Sequence, residues 1–128
     1  MYVPVLDGVK SELITTARLT TRVLFAGPRD GTPVLFLHGN ASSATWWEET
    51  MVALPEGFLG IALDQRGFGE ADLEKKVDAT RGTADWAEDA VALLDHLDVA
   101  KAHVVGSSLG GCVLWRLMAE SPDRLLSA

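Results

Sequence analysis

The sequence predicts an α/β fold, a mostly parallel sheet flanked by helices, and two observations carry that prediction. Val34-Leu35-Phe36-Leu37, Leu59-Gly60-Ile61-Ala62-Leu63 and Ala102-His103-Val104-Val105 are mostly continuous apolar runs, the pattern of parallel strands covered on both faces. Helical patterns separate them, and strands alternating with helices imply right-handed parallel β-α-β units.

Taken in order, residues 11 to 27 alternate in places between β-formers and polar groups. Leu13-Ile14-Thr15-Thr16 and Thr21-Arg22-Val23-Leu24-Phe25 are expected to form two antiparallel strands near a sheet edge. Pro28-Arg29-Asp30-Gly31 reads as a turn. A first helix is expected from Trp46 to about Leu54, with Thr45 and Glu48 spaced as a capping box and Pro55 marking the stop. Gln65 to Gly82 is polar and contains glycines, so it reads as a long loop and a candidate functional surface.

A second helix spans about Ala84 to Leu97, where Trp86, Ala90, Leu93, Leu94 and Leu97 share one face. Asp85, Glu88 and Asp89 crowd its early turns, where the helix dipole favours negative charge, and are expected to be solvated. A third helix begins at about Leu109 and ends before Pro122, with Leu109, Cys112, Val113, Leu117 and Met118 available for packing. The chain has no internal repeat, low-complexity tract or domain linker.

Composition narrows the function. The 128 residues are within single-domain range, and 48% hydrophobic against 23% charged argues for a packed core. A net charge of −7 without a basic block disfavours binding to nucleic acid or to anionic membranes, and reads as an acidic solubilising surface. No stretch approaches the roughly 20 apolar residues of a membrane span. Met1-Tyr2-Val3-Pro4 has neither the basic start nor the apolar middle of a signal peptide, so a cytoplasmic location is the default expectation. The single Cys112 has no disulfide partner and no clustered histidines for a metal, which leaves it as small apolar filler in a helix.

Chemistry enters at Val104-Val105-Gly106-Ser107-Ser108-Leu109-Gly110-Gly111. A Gly-x-Ser-x-Gly string between an apolar strand and an amphipathic helix places its serine on a sharp turn. Small residues two positions either side let the backbone fold tightly, lifting the Ser108 hydroxyl clear of the sheet as a nucleophile. Ser107 occupies the variable position and is expected to point elsewhere as a local hydrogen-bonding residue. Acyl transfer also needs donors aimed at the developing oxyanion, and the Leu109 N–H at the helix start is one. The second is expected from the loop Leu37-His38-Gly39-Asn40-Ala41, from the Asn40 N–H first and the Ala41 N–H otherwise.

Three motifs in order, His38-Gly39-Asn40, Asp64-Gln65-Arg66-Gly67-Phe68-Gly69 and Gly106-Ser107-Ser108-Leu109-Gly110-Gly111, resemble the α/β-hydrolase superfamily. The resemblance runs from about Leu13 to the end and implies an eight-stranded, mostly parallel sheet, of which about the first five strands are accounted for. Residues 1–128 then read as the amino-terminal part of one such domain. The resemblance also implies a structural role for His38 in holding the oxyanion loop, and for Asp64 in shaping a turn near Arg66. It implies that the catalytic acid and then the histidine follow the nucleophile on later loops, whereas this sequence runs 20 residues past Ser108.

Ser108 needs an imidazole to take its proton and a carboxylate to orient that imidazole, and neither role has a credible occupant here. His96 is expected on a helix surface, and His103 in or beside the strand five residues before Ser108. Gly67 and Gly69 are followed by Glu70-Ala71-Asp72 rather than by a third glycine at a helix start, so no nucleotide cofactor is expected. Trp46 or Trp47, just after the oxyanion loop, could line a substrate pocket while the other packs in the core.

Ending at Ala128 is expected to leave Ala102 to Val105 as an unpaired apolar edge, which invites aggregation. Exposed apolar area also forfeits about 25 cal/mol per Å², against a net stability of about 5 to 15 kcal/mol. A second chain or carboxy-terminal fragment is therefore the expected partner, completing the sheet and supplying Asp and His. The leading function is a serine hydrolase acting on a small or medium acyl substrate through a Ser108 acyl-enzyme. Alternatives are acyl transfer or cofactor-free perhydrolysis on the same nucleophile, and a non-catalytic ligand-binding or interaction protein lacking a working base.

Overall fold

The computed structural model describes residues 3–128; Met1 and Tyr2, which open the stretch read above for a signal peptide, lie outside the described residues. The strands are β1 (Val9–Thr15), β2 (Thr20–Ala26), β3 (Thr32–Leu37), β4 (Phe58–Leu63), β5 (Ala102–Gly106) and β6 (Leu125–Ser127). The α-helices are α1 (Glu48–Val52), α2 (Ala84–His96) and α3 (Leu109–Glu120). One sheet runs in the order β1-β2-β4-β3-β5-β6. β1 and β2 are antiparallel to each other, and β2 is antiparallel to β4, while β4, β3, β5 and β6 run parallel.

The continuous apolar runs are strands because both faces of the sheet are covered. Leu35 and Leu37 of β3 join Ile61, Leu63, Val104, Leu93, Leu94, Val113 and Leu117 on the face carrying α2 and α3. Val34 and Phe36 join Leu24, Ala62, Trp47 and Met51 on the opposite face, beneath α1. Successive strand side chains point to opposite faces, so a strand with two buried faces must be apolar at every position. Each fully buried Leu or Ile contributes about 1.5 to 3 kcal/mol.

Several expectations are corrected by long-range contacts. The first helix does not run from Trp46 to Leu54: Ala44–Trp47 is a 3₁₀ turn and α1 starts at Glu48. Thr45 and Glu48 make no capping box. The Ala44 N–H at the start of that turn donates to Asp64 Oδ1 at 2.8 Å, a carboxylate from another loop filling the capping role. Thr45 Oγ1 accepts instead from Arg22 Nη2 at 2.9 Å.

Asp85 and Asp89 are buried rather than solvated, at 5% and 3% exposure. Arg18, in the β1–β2 turn, reaches Asp85, Glu88 and Asp89 at 2.9 Å each, and Arg66 grips Asp89 with two bonds of 2.8 Å. Arg81 completes the cluster on Asp85 and Glu88. Three guanidinium groups, one from the β1–β2 turn and two from the long β4–α2 connection, thus hold this end of α2, and dipole reasoning within the helix cannot reveal them.

The packed face of α3 is also rotated from the expected one. Gly110, Val113, Leu114 and Leu117 are buried, whereas Cys112 and Met118 are exposed, so Cys112 is not core filler. Finally, β5 is not left as an edge: Ala102 pairs with Leu125 and His103 with Ser127, making six strands rather than five. Val105 and Leu126 remain partly exposed beyond that short pairing.

Candidate active site

β5 delivers the chain to Gly106 beside Leu37 of β3, and the Ser107 N–H donates to the Leu37 carbonyl at 3.1 Å. The backbone then reverses through Ser108, whose φ of 55° and ψ of −116° are rarely adopted outside glycine, and α3 begins at the next residue. The flanking glycines make that reversal possible. A Cβ on Gly106 would lie 2.4 Å from the Gly110 carbonyl oxygen, and one on Gly110 would lie 2.1 Å from that of Leu37. The Ser108 side chain is exposed at the carboxyl end of the parallel strands, where open α/β sheets bind ligands.

The loop after β3 comes up against this turn. A Cβ on Gly39 would lie 3.2 Å from both Ser108 Cβ and the Ser107 carbonyl oxygen. Asn40 and Ala41 follow directly, with Ala41 in the left-handed region at φ 52°. Among the described residues neither the Asn40 nor the Leu109 N–H donates to a protein acceptor. The first N–H groups of a helix have no intrahelical partner and lie at its positive dipole end, which accounts for the unpaired Leu109 N–H at the start of α3; the Asn40 N–H is unpaired on the loop that meets the Ser108 turn.

His38 and Gln65 lock the β3 loop in place. The Gln65 N–H donates to His38 Nε2 at 3.0 Å, which requires His38 Nδ1–H to donate to the Gly39 carbonyl at 2.8 Å. Gln65 Nε2 donates back to the His38 carbonyl at 2.7 Å. Both imidazole nitrogens are thus engaged by backbone, which leaves His38 no lone pair for a general base. Burial pushes its pKa below the ordinary 6.5, outweighing the opposing hydrogen bond to Gly39 and the charge of Asp64.

The pH consequence has a definite sign. Below about pH 6.5 the unfolded chain protonates this histidine and the folded chain does not, so His38 makes stability fall as pH falls towards its lowered folded pKa. Urea midpoints at pH 7.5 and pH 5.0 are expected to lie closer together in His38→Gln than in the parent.

Asp64 is fully buried and pairs with Arg22, not with Arg66: Arg22 Nε reaches Oδ2 at 2.9 Å and Nη2 reaches Oδ1 at 3.2 Å. The Glu70 N–H adds a bond of 2.9 Å to the Ala44 contact. With every oxygen so occupied, Asp64 organises loops and faces no reacting group. His96 is exposed on α2. His103 bonds Ser127 Oγ at 2.7 Å, and about 10 Å of extended strand separates it from Gly106, where β5 ends before the Ser108 turn.

An open cleft beside Ser108 is lined by Thr83, Gly111, Cys112 and Trp115. Neither tryptophan of the expected pocket belongs to it. Trp47 is buried with its ring 5.0 Å from that of Phe36. Trp46 lines a separate cleft with Ser42, Ser43 and Glu48. Trp115 was missed although the signal was present: Ser108, Cys112 and Trp115 are spaced four and then three apart, which puts them on one helical face. Gln65 and Arg22 had no comparable signal.

Among the described residues no group of three or more His, Cys, Asp or Glu could hold a metal ion, and no helix is long and apolar enough to cross a membrane.

Comparison with known proteins agrees with this architecture. The chain is 32% identical over 121 residues to the AB hydrolase superfamily protein YfhM of Bacillus subtilis, covering 94% of this chain and 42% of that protein. It is 38% identical over 104 residues to a non-heme chloroperoxidase of Streptomyces lividans, covering 80% and 37%. The solved structure of 2-hydroxy-6-oxo-6-phenylhexa-2,4-dienoate hydrolase from Rhodococcus sp. strain RHA1 superposes with a TM-score of 0.84 at 27% identity, covering 91% of this chain and 43% of the other. The chain therefore spans well under half the length of each of these relatives. With the family model described as alpha/beta hydrolase fold matching residues 32–128, the chain belongs to the α/β-hydrolase family.

Proposed function

We propose that the protein is a serine hydrolase of small or medium acyl substrates, working in the cytoplasm, with Ser108 as nucleophile. The observation that carries the reading is the strained Ser108 turn set against Gly39, with Leu109 following Ser108 and Asn40 following Gly39, each carrying an N–H that no acceptor among the described residues takes. Strain of about 1 to 3 kcal/mol at such a residue persists only where the surroundings enforce it, and such residues cluster at active sites.

Ser108 Oγ attacks the acyl carbonyl carbon as its proton passes to an imidazole, and the carbonyl oxygen gains the electron pair and is held by the Asn40 and Leu109 N–H groups. Collapse expels the alcohol or amine, which takes that proton, and leaves an acyl-Ser108 ester. Water, deprotonated by the same imidazole, then releases the acid. None of His38, His96 and His103 is suited to be that base, so the histidine and its carboxylate come from further polypeptide, a second chain or a carboxy-terminal fragment. The relatives' greater length supports this.

Fluorophosphonate labelling of the complete protein tests the nucleophile. Ser108→Ala is expected to abolish labelling and Ser107→Ala to preserve it; the reverse pattern would overturn the assignment. Ser108→Gly removes hydroxyl and strain together, and is expected to lose labelling while gaining about 1 kcal/mol of stability. An unlabelled parent would favour the non-catalytic binding reading. The chloroperoxidase relative gives weight to a second reading, in which peroxide or another acceptor replaces water at the acyl-enzyme. Product analysis with competing acceptors separates the two.

A further inference from the structure

The cleft beside Ser108 has a chemistry of its own. Ser108, Cys112 and Trp115 stand on one face of α3, opposite Thr83 at the start of α2, around a cavity of about 460 Å³. Ligand pockets are commonly about 300 to 1,000 Å³. No lining residue is Asp, Glu, Lys or Arg.

The Arg116 guanidinium, which bonds the lining residue Thr83, is already committed. Its Nε donates to Thr83 Oγ1 at 3.3 Å, its Nη1 to Glu120 at 2.8 Å and its Nη2 to the Arg81 carbonyl at 3.4 Å. An anionic tail in this cleft finds no unpaired positive charge. An apolar tail finds the Trp115 indole, which is 79% exposed.

We propose that this cleft is an acyl-chain site for uncharged, apolar groups of medium length, with Trp115 as the side chain that sets the length preference. The proposal rests on reading Ser108 as the nucleophile, since it seats the chain next to that hydroxyl. Each methylene buried against the indole is worth about a fourfold gain in affinity. Four methylenes could therefore exceed a hundredfold if all were buried, and a cleft this open is expected to deliver at least tenfold. Met118, three residues beyond Trp115 and also exposed, continues the apolar strip along α3.

The test uses the full-length protein and follows indole emission during titration with butyrate, octanoate and octanedioate. Subtracting the response of Trp115→Phe isolates Trp115, whose exposed position tolerates the change. Octanoate is expected to bind at least tenfold more tightly than butyrate, and octanedioate to lose that gain because its second carboxylate enters the uncharged cleft. Cys112→Phe, also at an exposed position, fills the space and is expected to remove the octanoate response with circular dichroism unchanged.

Equal affinity for butyrate and octanoate, or octanedioate binding as tightly as octanoate, overturns the proposal. So does a Trp115 emission already blue-shifted and indifferent to all three, which would mean that another segment of polypeptide covers the cleft. Ser108→Ala is expected to keep the octanoate response. A parent protein that takes no fluorophosphonate label but keeps the octanoate response would sink the nucleophile reading and leave the cleft; a labelled parent without the response would sink the cleft alone.

Discussion

Gly110→Ala is expected to destabilise the fold by about 3 kcal/mol or more, although helix propensity taken alone predicts a gain of about 1 kcal/mol. The new Cβ would sit 2.1 Å from the Leu37 carbonyl oxygen, 2.6 Å from its carbon and 2.8 Å from the His38 carbonyl oxygen. All three are backbone atoms at the end of a central strand, so α3 must move away from β3 as a body. Gly111→Ala is the internal control. Its Cβ meets nothing nearer than the Gly106 oxygen at 3.8 Å, and propensity then wins, with a gain of about 0.5 to 1 kcal/mol. Urea denaturation of the two variants should move the midpoint in opposite directions. Where Gly110→Ala still folds, displacing Ser108 from Gly39 by about 1 Å is expected to slow fluorophosphonate labelling about a hundredfold. Equal midpoints for the two variants would contradict the close approach of α3 to β3.

Asp64→Ala carries the second large effect, a loss of about 3 to 5 kcal/mol. The carboxylate accepts from Arg22, Ala44 and Glu70 with no exposure to water, and its removal strands a guanidinium that is itself 5% exposed. Against a domain stability of about 5 to 15 kcal/mol, that is a third or more of the total in most cases. Asp64→Asn is expected to fall between parent and Ala, because its amide keeps one acceptor but turns a donor towards the donors it replaces. Removing both charges, as in Arg22→Met with Asp64→Leu, should recover part of the loss, since an unpaired buried charge costs more than a buried apolar pair. Thermal melts of the parent and the three variants check the order, and a double variant less stable than Asp64→Ala alone would refute this account.

Both effects bear on how much could be read from residue order. β3, β4 and β5 were visible as apolar runs because a strand buried on both faces admits few polar residues, and α2 was visible because Ala90, Leu93 and Leu94 repeat at helical spacing. The Ser108 turn was visible for a local reason as well: Gly106 and Gly110 are the residues that a strand meeting a helix this closely requires. β6 was not legible, because Leu125–Ser127 becomes a strand only through pairing with β5. The rotation of α3 was hidden too, since it follows from the contact of Gly110 with β3 rather than from hydrophobicity, which had favoured Leu109 and Met118.

What the sequence determined by itself is therefore whatever depends on neighbours within a few positions: the apolar strands, the helical stripes and the glycine-framed serine. The tertiary structure alone decided the ionic and polar partnerships. Arg22 and Asp64 are 42 positions apart, Arg18 and Asp89 are 71 apart, and His38 and Gln65 are 27 apart. A charged side chain bonds to whichever opposite group the packed backbone brings within about 3 Å, and no periodicity along the chain records which group that is.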